Sequence, residues 1–544
     1  MSMFFSQGLR PYGPAGLPPR AWSWLGFVGF ASSAVGGWAS PIVSAHRHSG
    51  ARRITVLMGA AVLFATGRGA GESYKVYTIT FPHNVVPEVG GLGFTSEGEL
   101  VVALRRHGIL LAKPETDPTK FAWRSFSDDI LHNTCGLQVV SKGEMIISTM
   151  DDLVRVKDTD NDGIADSYQV ICDDWGITGN YHETNTLVPD GAGAKNGWWL
   201  AIGTASHNGP VFTNVRGNYS PIGQRGRNFS GAQWKGWIAH IDPSGKLEPY
   251  AKGFRANNGI CVGPDDKLWV TDNQGDWRGT SPLFHVTKDG FYGHPSSLVW
   301  DTTFHSDVDN DPLKHPIEKL EAMRTHAAVE FPQGSMCNSP SQPVFDTKGK
   351  FGPFAGQMFV GDVAGGRILR VMLEEVDGVM QGACVKFVDK DLRAGNNRLV
   401  FSPDGTQLYT GQTVRGWGNP SEGLQRISFT GGVPFDVKAI SLTKEGFVLV
   451  FTKPVEATGG ARPASYQVKR FYYRYSPQYG SPVMEETKLT VGSVKLSADG
   501  LTATLAVDGL QANRLVQLNI DLNAADGTRI RQPEICYTIN RLRK

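Results

Sequence analysis

The sequence predicts an all-β protein in which a six-bladed β-propeller is followed by a small β-sandwich of immunoglobulin or fibronectin type. A strand–turn–strand pattern recurs six times between Tyr74 and about Gly432. The chain holds 65 glycines and 31 prolines among 544 residues, and this favours short strands joined by turns over a helical bundle. After Pro434 the recurring pattern gives way to longer strands of alternating polarity.

Each of the six repeats consists of an apolar strand, a turn that contains Gly or Asp-Gly, and a second apolar strand. The six copies begin at Leu92, Gly136, Asn185, Asn258, Ser341 and Asn397. In most copies further strands follow, so that a repeat of roughly 40–50 residues holds about four strands, as one propeller blade does. An irregular all-β sandwich is the alternative fold, and it explains the recurrence poorly.

The chain is therefore predicted to have three regions: a targeting region at residues 1–72, the propeller at 73–433 and the sandwich at 434–544. From Val437 onward, segments such as YQVKRFYYRYS and RLVQLNIDL alternate in polarity and lack the blade pattern. Such strands are typical of a small antiparallel sandwich. We expect this last domain to have a structural or docking role.

The amino-terminal region has the pattern of a secretory signal. Ala51-Arg52-Arg53 is a basic start, residues 54–66 form a short apolar run, and small residues follow. The run is too short to cross a bilayer comfortably, and the alternative is a membrane anchor that uses two apolar patches before Ser73. The first residues are interpreted as an over-extended start. In either case we expect the mature protein to be periplasmic or secreted.

Charge and cysteine pattern exclude several functions. The formal net charge is only +2 and no basic-aromatic stripe is present, so we expect no nucleic-acid partner. The six cysteines form no CxxC motif, which excludes a zinc ribbon, a thioredoxin-type pair and a covalently attached c-type haem. They are interpreted as buried thiols, or as one or two incidental disulfides.

The loops that should converge on the mouth of the propeller are polar. Ligand sites of such folds lie in this concave mouth, where loops enter the innermost strands and leave the second strands. The loops before the innermost strands contain Asn133-Thr134, Tyr181-His182-Glu183, Phe254 to Asn258, Asn338-Ser339 and Asn396 to Arg398. The loops after the second strands contain Ser206 to Asn208, Asn273 to Arg278, Asp362 and Gln412 to Arg415. A polar ring suits a polyanionic or polyhydroxylated ligand, although Asn and Asp also form turns without binding anything.

Several stretches resemble a known family. FRANNG from Phe254, the strand ICVGPDDKLWVTD and the following NQGDWRGTSPL resemble the soluble quinoprotein glucose and sorbosone dehydrogenases. These are six-bladed propellers that use pyrroloquinoline quinone (PQQ) and calcium. A closer resemblance, from about Tyr74 to Lys544, is to a secreted and sparsely characterised branch of this fold. That branch also carries the KFGPFAGQ blade, an RGWG near the last blade and a C-terminal sandwich.

The resemblance implies roles for individual residues. His182 occupies the position of the family's general base, and Arg255 that of the arginine that contacts the quinone. Gly275 and Asp276 fall where backbone carbonyls bind the cofactor calcium, although Asp276 replaces a proline. Ala256 replaces the asparagine that usually follows the arginine. The resemblance assigns further cofactor contacts to Asn258, Gln274, Arg278 and Arg415.

The function that the resemblance implies is an exported dehydrogenase that oxidises a sugar or related alcohol. A histidine near neutral pKa takes the hydroxyl proton and hydride passes to the quinone. Because no haem motif is present, the electrons should go to a separate acceptor such as a cytochrome c. Two alternatives stay open: a calcium-dependent hydrolase of lactonase type, and a non-catalytic propeller that binds carbohydrate or a partner protein.

A second metal motif lies outside the mouth loops. Asp158, Asp160, Asp162 and Asp166 form the pattern D-x-D-x-D-G-x-x-D, in which alternate carboxylates and a glycine wrap a hard cation. Position twelve is Gln169 rather than Glu, so the loop is not a regular EF-hand. We predict a structural calcium ion here, with a solvated acidic turn as the alternative.

Overall fold

The computed structural model describes residues 72–128, 133–177, 185–206, 216–223, 225–413 and 421–544. The described residues are nearly all strand and turn, and the predicted all-β class is confirmed. The predicted export signal lies outside the described residues. Among those that are described, no helix is long and apolar enough to cross a membrane.

Strand β1 (Tyr74–Ile79) comes first in the chain. Blades 1 to 3 follow it, and each is a four-stranded antiparallel sheet. From the innermost strand outward, blade 1 contains β2 (Val89–Phe94), β3 (Leu100–Leu104), β4 (Ile109–Ala112) and β5 (Arg124–Ser127). Blade 2 contains β6 (Gly136–Ser141), β7 (Glu144–Ser148), β8 (Leu153–Lys157) and β9 (Ser167–Cys172). Blade 3 contains β10 (Asn185–Asp190), β11 (Gly197–Ile202), β14 (Trp237–Ile241) and β15 (Leu247–Lys252), with the short pair β12 (Ala205–Ser206) and β13 (Asn228–Phe229) inserted after β11.

The remaining three blades follow the same order. Blade 4 contains β16 (Gly259–Val262), β17 (Leu268–Thr271), β18 (Ser281–Val286) and β19 (Val329–Phe331), with helix α1 (Ile317–Met323) between the last two. Blade 5 contains β20 (Pro340–Phe345), β21 (Met358–Asp362), β22 (Arg367–Val376) and β23 (Val379–Val388). Blade 6 contains β24 (Asn396–Phe401), β25 (Gln407–Gln412) and β26 (Gly423–Phe429). Short 3-10 helices cover Ala192–Ala194, Pro295–Trp300, Pro312–Lys314 and Pro463–Ser465.

The six blades close into a ring. Each innermost strand contacts the innermost strand of the next blade, and β24 of blade 6 contacts β2 of blade 1. The fourth strand of blade 6 is β1, which pairs with β26 from Tyr74↔Phe429 to Ile79↔Leu424. The amino-terminal strand therefore closes the ring by hydrogen bonds to the end of the propeller. The predicted count of six blades is confirmed.

Alternation along the strands explains how the blades stack. Successive side chains of a strand point to opposite faces, so a strand that is buried on both faces fills two interfaces. Met145 and Ile147 of β7 pack between blades 1 and 2, whereas Ile146 packs between blades 2 and 3. Likewise Leu200 and Ala201 of β11 fill interfaces on opposite faces of blade 3. These apolar interfaces make up the core of the propeller.

The carboxyl-terminal part is a sandwich of two sheets. One sheet contains β27 (Val437–Leu442), β28 (Gly446–Phe451), β31 (Val491–Leu496) and β32 (Thr502–Val507). The other contains β29 (Tyr466–Tyr473), β30 (Val483–Leu489), β33 (Arg514–Ile520) and β34 (Glu534–Ile539), and the short helix α2 (Ala457–Gly460) follows β28. Phe447 and Leu505 of the first sheet share a core with Val468 and Leu518 of the second.

The sandwich is hydrogen-bonded directly to blade 5. Strand β34 pairs with β23 from Gly382↔Thr538 to Val385↔Ile535, so the blade and the second sandwich sheet form one eight-stranded sheet. Cys384 and Cys536 lie opposite each other in this pair. All six cysteines are buried free thiols, which is one of the two states that the sequence leaves open.

Candidate functional site

The functional loops lie at one face of the propeller, which we call the top face and define as the face where the innermost strands begin. Arg398 of β24 occupies its centre and is buried. Its Nε lies 2.9 Å from the Gly90 carbonyl oxygen, and one Nη lies 3.1 Å from that of Asn258. The same side chain donates to the Cys135 carbonyl and to Thr186 Oγ1. Arg398 thus joins blades 1, 2, 3, 4 and 6 at the axis.

Every hydrogen-bond partner of the Arg398 guanidinium in the described part of the chain is a neutral oxygen. Burial lowers the pKa of Arg398 to about 10, well within the charged range at neutral pH. The charge is therefore held by carbonyl and hydroxyl dipoles rather than by a carboxylate. These hydrogen bonds link the starts of five innermost strands at the axis of the ring.

Two aspartates at equivalent blade positions fasten the mouth loops. Asp272 directly follows β17, and its Oδ atoms accept from the backbone N–H groups of Arg255 and Ala256 at 2.8 and 2.7 Å. Asp362 ends β21, and its carboxylate accepts from the N–H groups of Asn338 and Ser339 at 3.2 and 3.1 Å. Each carboxylate therefore fixes the segment that leads into the innermost strand of its own blade.

Arg255, the predicted quinone contact, is engaged inside the protein. Its Nε lies 2.7 Å from Asp276 Oδ1, one Nη lies 2.7 Å from Asn228 Oδ1, and the other lies 3.1 Å from the Gln274 carbonyl oxygen. His294 Nε2 lies 3.3 Å from the second oxygen of Asp276. Burial alone would raise the pKa of Asp276, but His294 and Arg255 hold it well below its ordinary value. The ion pair is thus a buried and mutually satisfied group.

The sandwich contributes a loop to this site, which we call the sandwich loop and define as residues 474–482 between β29 and β30. The Gly480 N–H donates to the Gly275 carbonyl oxygen at 2.9 Å, and the Trp277 N–H donates to the Ser476 carbonyl oxygen at 3.0 Å. The Arg255 Cζ lies 5.4 Å from the centre of the Tyr479 ring. The domain that we expected to be structural or docking therefore also covers one side of the top-face site.

Three other predicted cofactor contacts also form hydrogen bonds within the protein. Arg278 is buried, and it donates to Asp272 at 3.1 Å and to the Gly253 carbonyl oxygen at 2.5 Å. The Gln274 side-chain amide donates to the Gly279 carbonyl oxygen at 3.1 Å, and that of Asn258 donates to Asn397 Oδ1 at 2.9 Å. His182 and Arg415 lie outside the described residues.

Residues 274–276 do not fit the calcium ion of a PQQ site. The Gly275 carbonyl oxygen already accepts from the N–H groups of Arg278 and Gly480, and the Gln274 carbonyl oxygen accepts from Arg255. A Cβ at Gly275 would lie 2.0 Å from Arg255 Cζ, so the guanidinium rests directly against this backbone. Calcium requires several free oxygen ligands at 2.3–2.6 Å, roughly. These oxygens are committed to hydrogen bonds instead.

The side chains left at the surface of the top face are polar and mostly uncharged. Asn273 and Asn338 are half-buried, and Ser339 Oγ donates to Asn273 Oδ1 at 3.2 Å. Arg105 of blade 1 is half-buried and donates to Asn133 Oδ1 at 2.7 Å. The mouth therefore offers amide and guanidinium groups that are held in place from below. The axial role of Arg398 could not be predicted from the sequence, because nothing local indicates its partners.

The predicted calcium loop lies at the opposite face, between β8 and β9. One carboxylate oxygen each of Asp158, Asp160 and Asp162 lies within 4.8 Å of the others. Asp158 also accepts from the N–H groups of Asn161 and Gly163, which folds the loop around it. Asp166 is not part of the cluster, because its carboxylate accepts from the Thr159 hydroxyl at 2.8 Å. The three clustered carboxylates are suited to a calcium ion.

Comparisons with known proteins place solved propellers beside this chain. No family model and no curated protein matches it. A family AA12 carbohydrate-active enzyme from Trichoderma reesei is 15% identical over 66% of this chain and 97% of its own, with a TM-score of 0.47. The PQQ domain of a pyranose dehydrogenase from Coprinopsis cinerea is 13% identical over 66% and 96%, with a TM-score of 0.46. A PQQ-bound aldose sugar dehydrogenase from Streptomyces coelicolor is 12% identical over 65% and 98%, with a TM-score of 0.41. Two of these three structures are named as dehydrogenases of sugars.

Proposed function

We propose that this protein is an exported oxidoreductase of the sugar-dehydrogenase type, and that it binds a sugar or a related alcohol at the top face of its propeller. The observation that carries the proposal is the top face itself, where polar side chains lie around the buried Arg398. A site of fixed amide groups suits the hydroxyls of a polyol. The stretches around Phe254 and Asn273 that resemble sugar dehydrogenases form part of this same face.

Three side chains are proposed to bind the substrate. The amides of Asn273 and Asn338 can each donate to one hydroxyl and accept from another, and Arg105 can donate only. The Ser339 hydroxyl and the Asp272 and Asp362 carboxylates hold the segments that carry these groups. Because the supporting bonds already exist, little side-chain freedom is lost when a polyol binds.

His182 is proposed as the general base. It precedes β10 by three positions, and this is the connection that enters the innermost strand of blade 3. A neutral imidazole there would take the proton of the hydroxyl that is oxidised. PQQ is the hydride acceptor that the resemblance implies, but Gln274, Gly275 and Asp276 do not fit its calcium, so we assign them no part in the reaction. The proposed final electron acceptor is a separate protein such as a cytochrome c.

The hydrolase alternative has less support at the mouth. A calcium-dependent hydrolase needs carboxylates that converge on one ion. At the mouth, the carboxylates of Asp272 and Asp362 are instead occupied by backbone N–H groups, and that of Asp276 is paired with Arg255 and His294. In the described ranges, the acidic cluster with the spacing of a cation site is the loop at Asp158, at the opposite face.

The test is oxidation of sugars by the full-length purified chain. The protein is assayed as purified and after incubation with PQQ and Ca²⁺, with an artificial dye as electron acceptor and a panel of aldoses, ketoses and polyols. The proposal predicts sugar-dependent dye reduction in at least one arm. It also predicts that His182→Ala lowers the rate by roughly 10²-fold or more, as expected when a general base is lost.

The matched control is His240→Ala. His240 is half-buried in blade 3 and pairs with Asp190 at 3.0 Å, at the end of the blade opposite the top face. This variant should keep its activity. Dye reduction that is absent in both arms, or that is unchanged in His182→Ala, would contradict the proposal. Lactone hydrolysis in the absence of dye reduction would instead favour the hydrolase.

A further inference from the structure

A second cavity lies where blade 4 meets the sandwich. It has a volume of about 570 Å³, which is large enough for one or two sugar rings. Strands β18 and β19, helix α1 and the sandwich strands β29, β33 and β34 surround it. Its walls include Trp277, Arg324, Glu330, Tyr473 and Tyr475. The cavity uses none of the residues that we propose to bind substrate at the top face.

Among the side chains that line this cavity, Glu330 is the one that indicates a ligand site. Its main chain is fully used, because the N–H donates to Thr538 Oγ1 at 2.8 Å and the carbonyl accepts from Cys384 Sγ. Its carboxylate lines the cavity and makes no hydrogen bond or ion pair with any residue in the described ranges. Burial raises the pKa of this carboxyl to about 7, although Arg324 and Arg278 oppose the shift. A half-buried carboxyl that no protein group bonds is available to the hydroxyls of a ligand.

Three of the four arginines around the cavity are paired with carboxylates, and the fourth, Arg474, is exposed to solvent. Arg324 lies 2.6 Å from Glu321 and stacks over Tyr475, with Cζ 4.9 Å from the ring centre. Arg514 lies 2.9 Å from Glu485. Arg278 is paired with Asp272 on its other side.

These charges restrict the chemistry of a ligand. An anionic ligand would meet Glu330 and find three of the four guanidinium groups already paired. A cationic ligand would meet those same guanidinium groups, including one already on the face of Tyr475. A neutral ligand with many hydroxyls avoids both costs, because hydroxyls both donate and accept.

We propose that this cavity binds a neutral polyhydroxylated molecule, namely a monosaccharide or one sugar unit of a glycan, with the Glu330 carboxyl bonded to its hydroxyls. The aromatic walls at Trp277 and Tyr473 contact the apolar faces of the sugar ring. Because the cavity belongs to the junction of propeller and sandwich, this binding is separate from the reaction at the top face. The sandwich then has a role in holding carbohydrate.

The test measures binding of D-glucose and of the neutral trisaccharide maltotriose to the full-length chain, by saturation-transfer NMR and by calorimetric titration. We expect at least one of the two probes to bind the unmodified protein. Glu330→Leu should weaken this binding about tenfold or more, since it removes hydrogen bonds to a carboxyl. Glu330→Gln, which keeps the shape and one acceptor, should weaken it less.

Two controls make the result decisive. Glu445→Leu changes an exposed glutamate in the turn between β27 and β28 and should bind as the unmodified protein does. Asn273→Ala changes the top face and should keep the binding that Glu330→Leu removes, so failure of the proposed function can be told apart from failure of this inference. Glu330→Leu replaces a half-buried ionisable side chain that no described residue bonds, so its unfolding temperature should not fall. Absence of binding by both probes, or binding unchanged in Glu330→Leu, would overturn the proposal.

Discussion

The guanidinium of Arg255 and the carboxylate of Asp276 form a buried ion pair, with Nε 2.7 Å from Oδ1, beside the Tyr479 ring of the sandwich loop. Both side chains are less than one-tenth exposed, at 8% and 7%. The arginine that the sequence assigns to a quinone therefore connects blade 4 to the loop from the sandwich. Its main effect should be on stability and on the shape of the top face.

Breaking this pair from one side should be strongly destabilising. In Asp276→Asn the guanidinium of Arg255 stays buried without its counter-ion, which costs about 3–5 kcal/mol of unfolding free energy. Urea denaturation of the two proteins measures the difference. Asp265→Asn is the control, because Asp265 pairs with Lys267 at the surface and should cost about 1 kcal/mol or less. A loss below about 1 kcal/mol in Asp276→Asn would contradict the structural role.

Replacing Arg398 should loosen the axis of the propeller. Arg398→Met removes the donor that bridges carbonyl oxygens of blades 1, 2 and 4, which should cost about 3 kcal/mol or more. Arg398→Lys should recover only part of this, since one ammonium cannot reach all the partners of a planar fork. Arg393→Met, at an exposed position nearby in the chain, should change the free energy of unfolding by about 0.5 kcal/mol or less. Equal stability of Arg398→Met and the unmodified protein would show that the axis is not held by this side chain.

Stability should fall as the pH rises through the neutral range. The pKa of Glu330 is raised from its unfolded value of 4.5 to about 7, so the folded protein holds a proton that the unfolded chain has released. This favours folding fully below pH 4.5 and is lost as the pH rises through about 7. The groups that face Glu330 are Arg324, Arg278 and Glu321. The difference in unfolding free energy between Glu330→Gln and the unmodified protein should therefore grow from pH 5 to pH 8, and a constant difference would contradict this.

Calcium should stabilise the loop between β8 and β9. Three clustered carboxylates repel one another without a cation, so added Ca²⁺ should raise the unfolding temperature by several degrees, and a chelator should reverse the gain. The double variant Asp160→Asn/Asp162→Asn should not respond. Asp309→Asn, where the aspartate pairs with Lys314 instead, should respond as the unmodified protein does. An unfolding temperature that is the same with Ca²⁺ and with chelator would leave the loop as a solvated turn.

Removal of the amino-terminal strand should open blade 6. A chain that begins at residue 81 lacks β1 and exposes the edge of β26, whereas a chain that begins at residue 72 keeps the pair. The shorter chain should aggregate or unfold at a markedly lower temperature, because an unpaired apolar edge is exposed. Comparable melting of both chains would show that closure by β1 is dispensable.

The fold could be predicted because the pattern that indicates it is contained within each short repeat. Each repeat carries its own alternation and its own turn, as at Leu92 and Asn397, and the change of pattern after Pro434 marks the sandwich. Two strand pairings could not be predicted from such local patterns. Strand β1 pairs with β26 across some 350 positions, and β34 pairs with β23 to join the sandwich to blade 5. The sequence of one strand does not identify a partner strand that lies so far away in the chain.

The site was predicted less well than the fold, for a related reason. The polar mouth loops were located because their positions follow from the repeat. Their partners were not predicted, because Arg255 and Asp276 lie within the stretches that resemble the family but form hydrogen bonds with Asn228 and His294 from other parts of the chain. A residue type shows what chemistry is available, whereas tertiary contacts decide whether a group is free to use it.

The most direct test of the proposed function is a crystal structure of the full-length chain soaked with a sugar that the dye assay identifies as a substrate. The account predicts electron density for the sugar at the top face, within hydrogen-bonding distance of Asn273 or Asn338 and above Arg398, with the Arg255–Asp276 pair intact. A top face without sugar density in a crystal whose mouth is open to solvent, or a sugar that displaces Asp276 from Arg255, would contradict it.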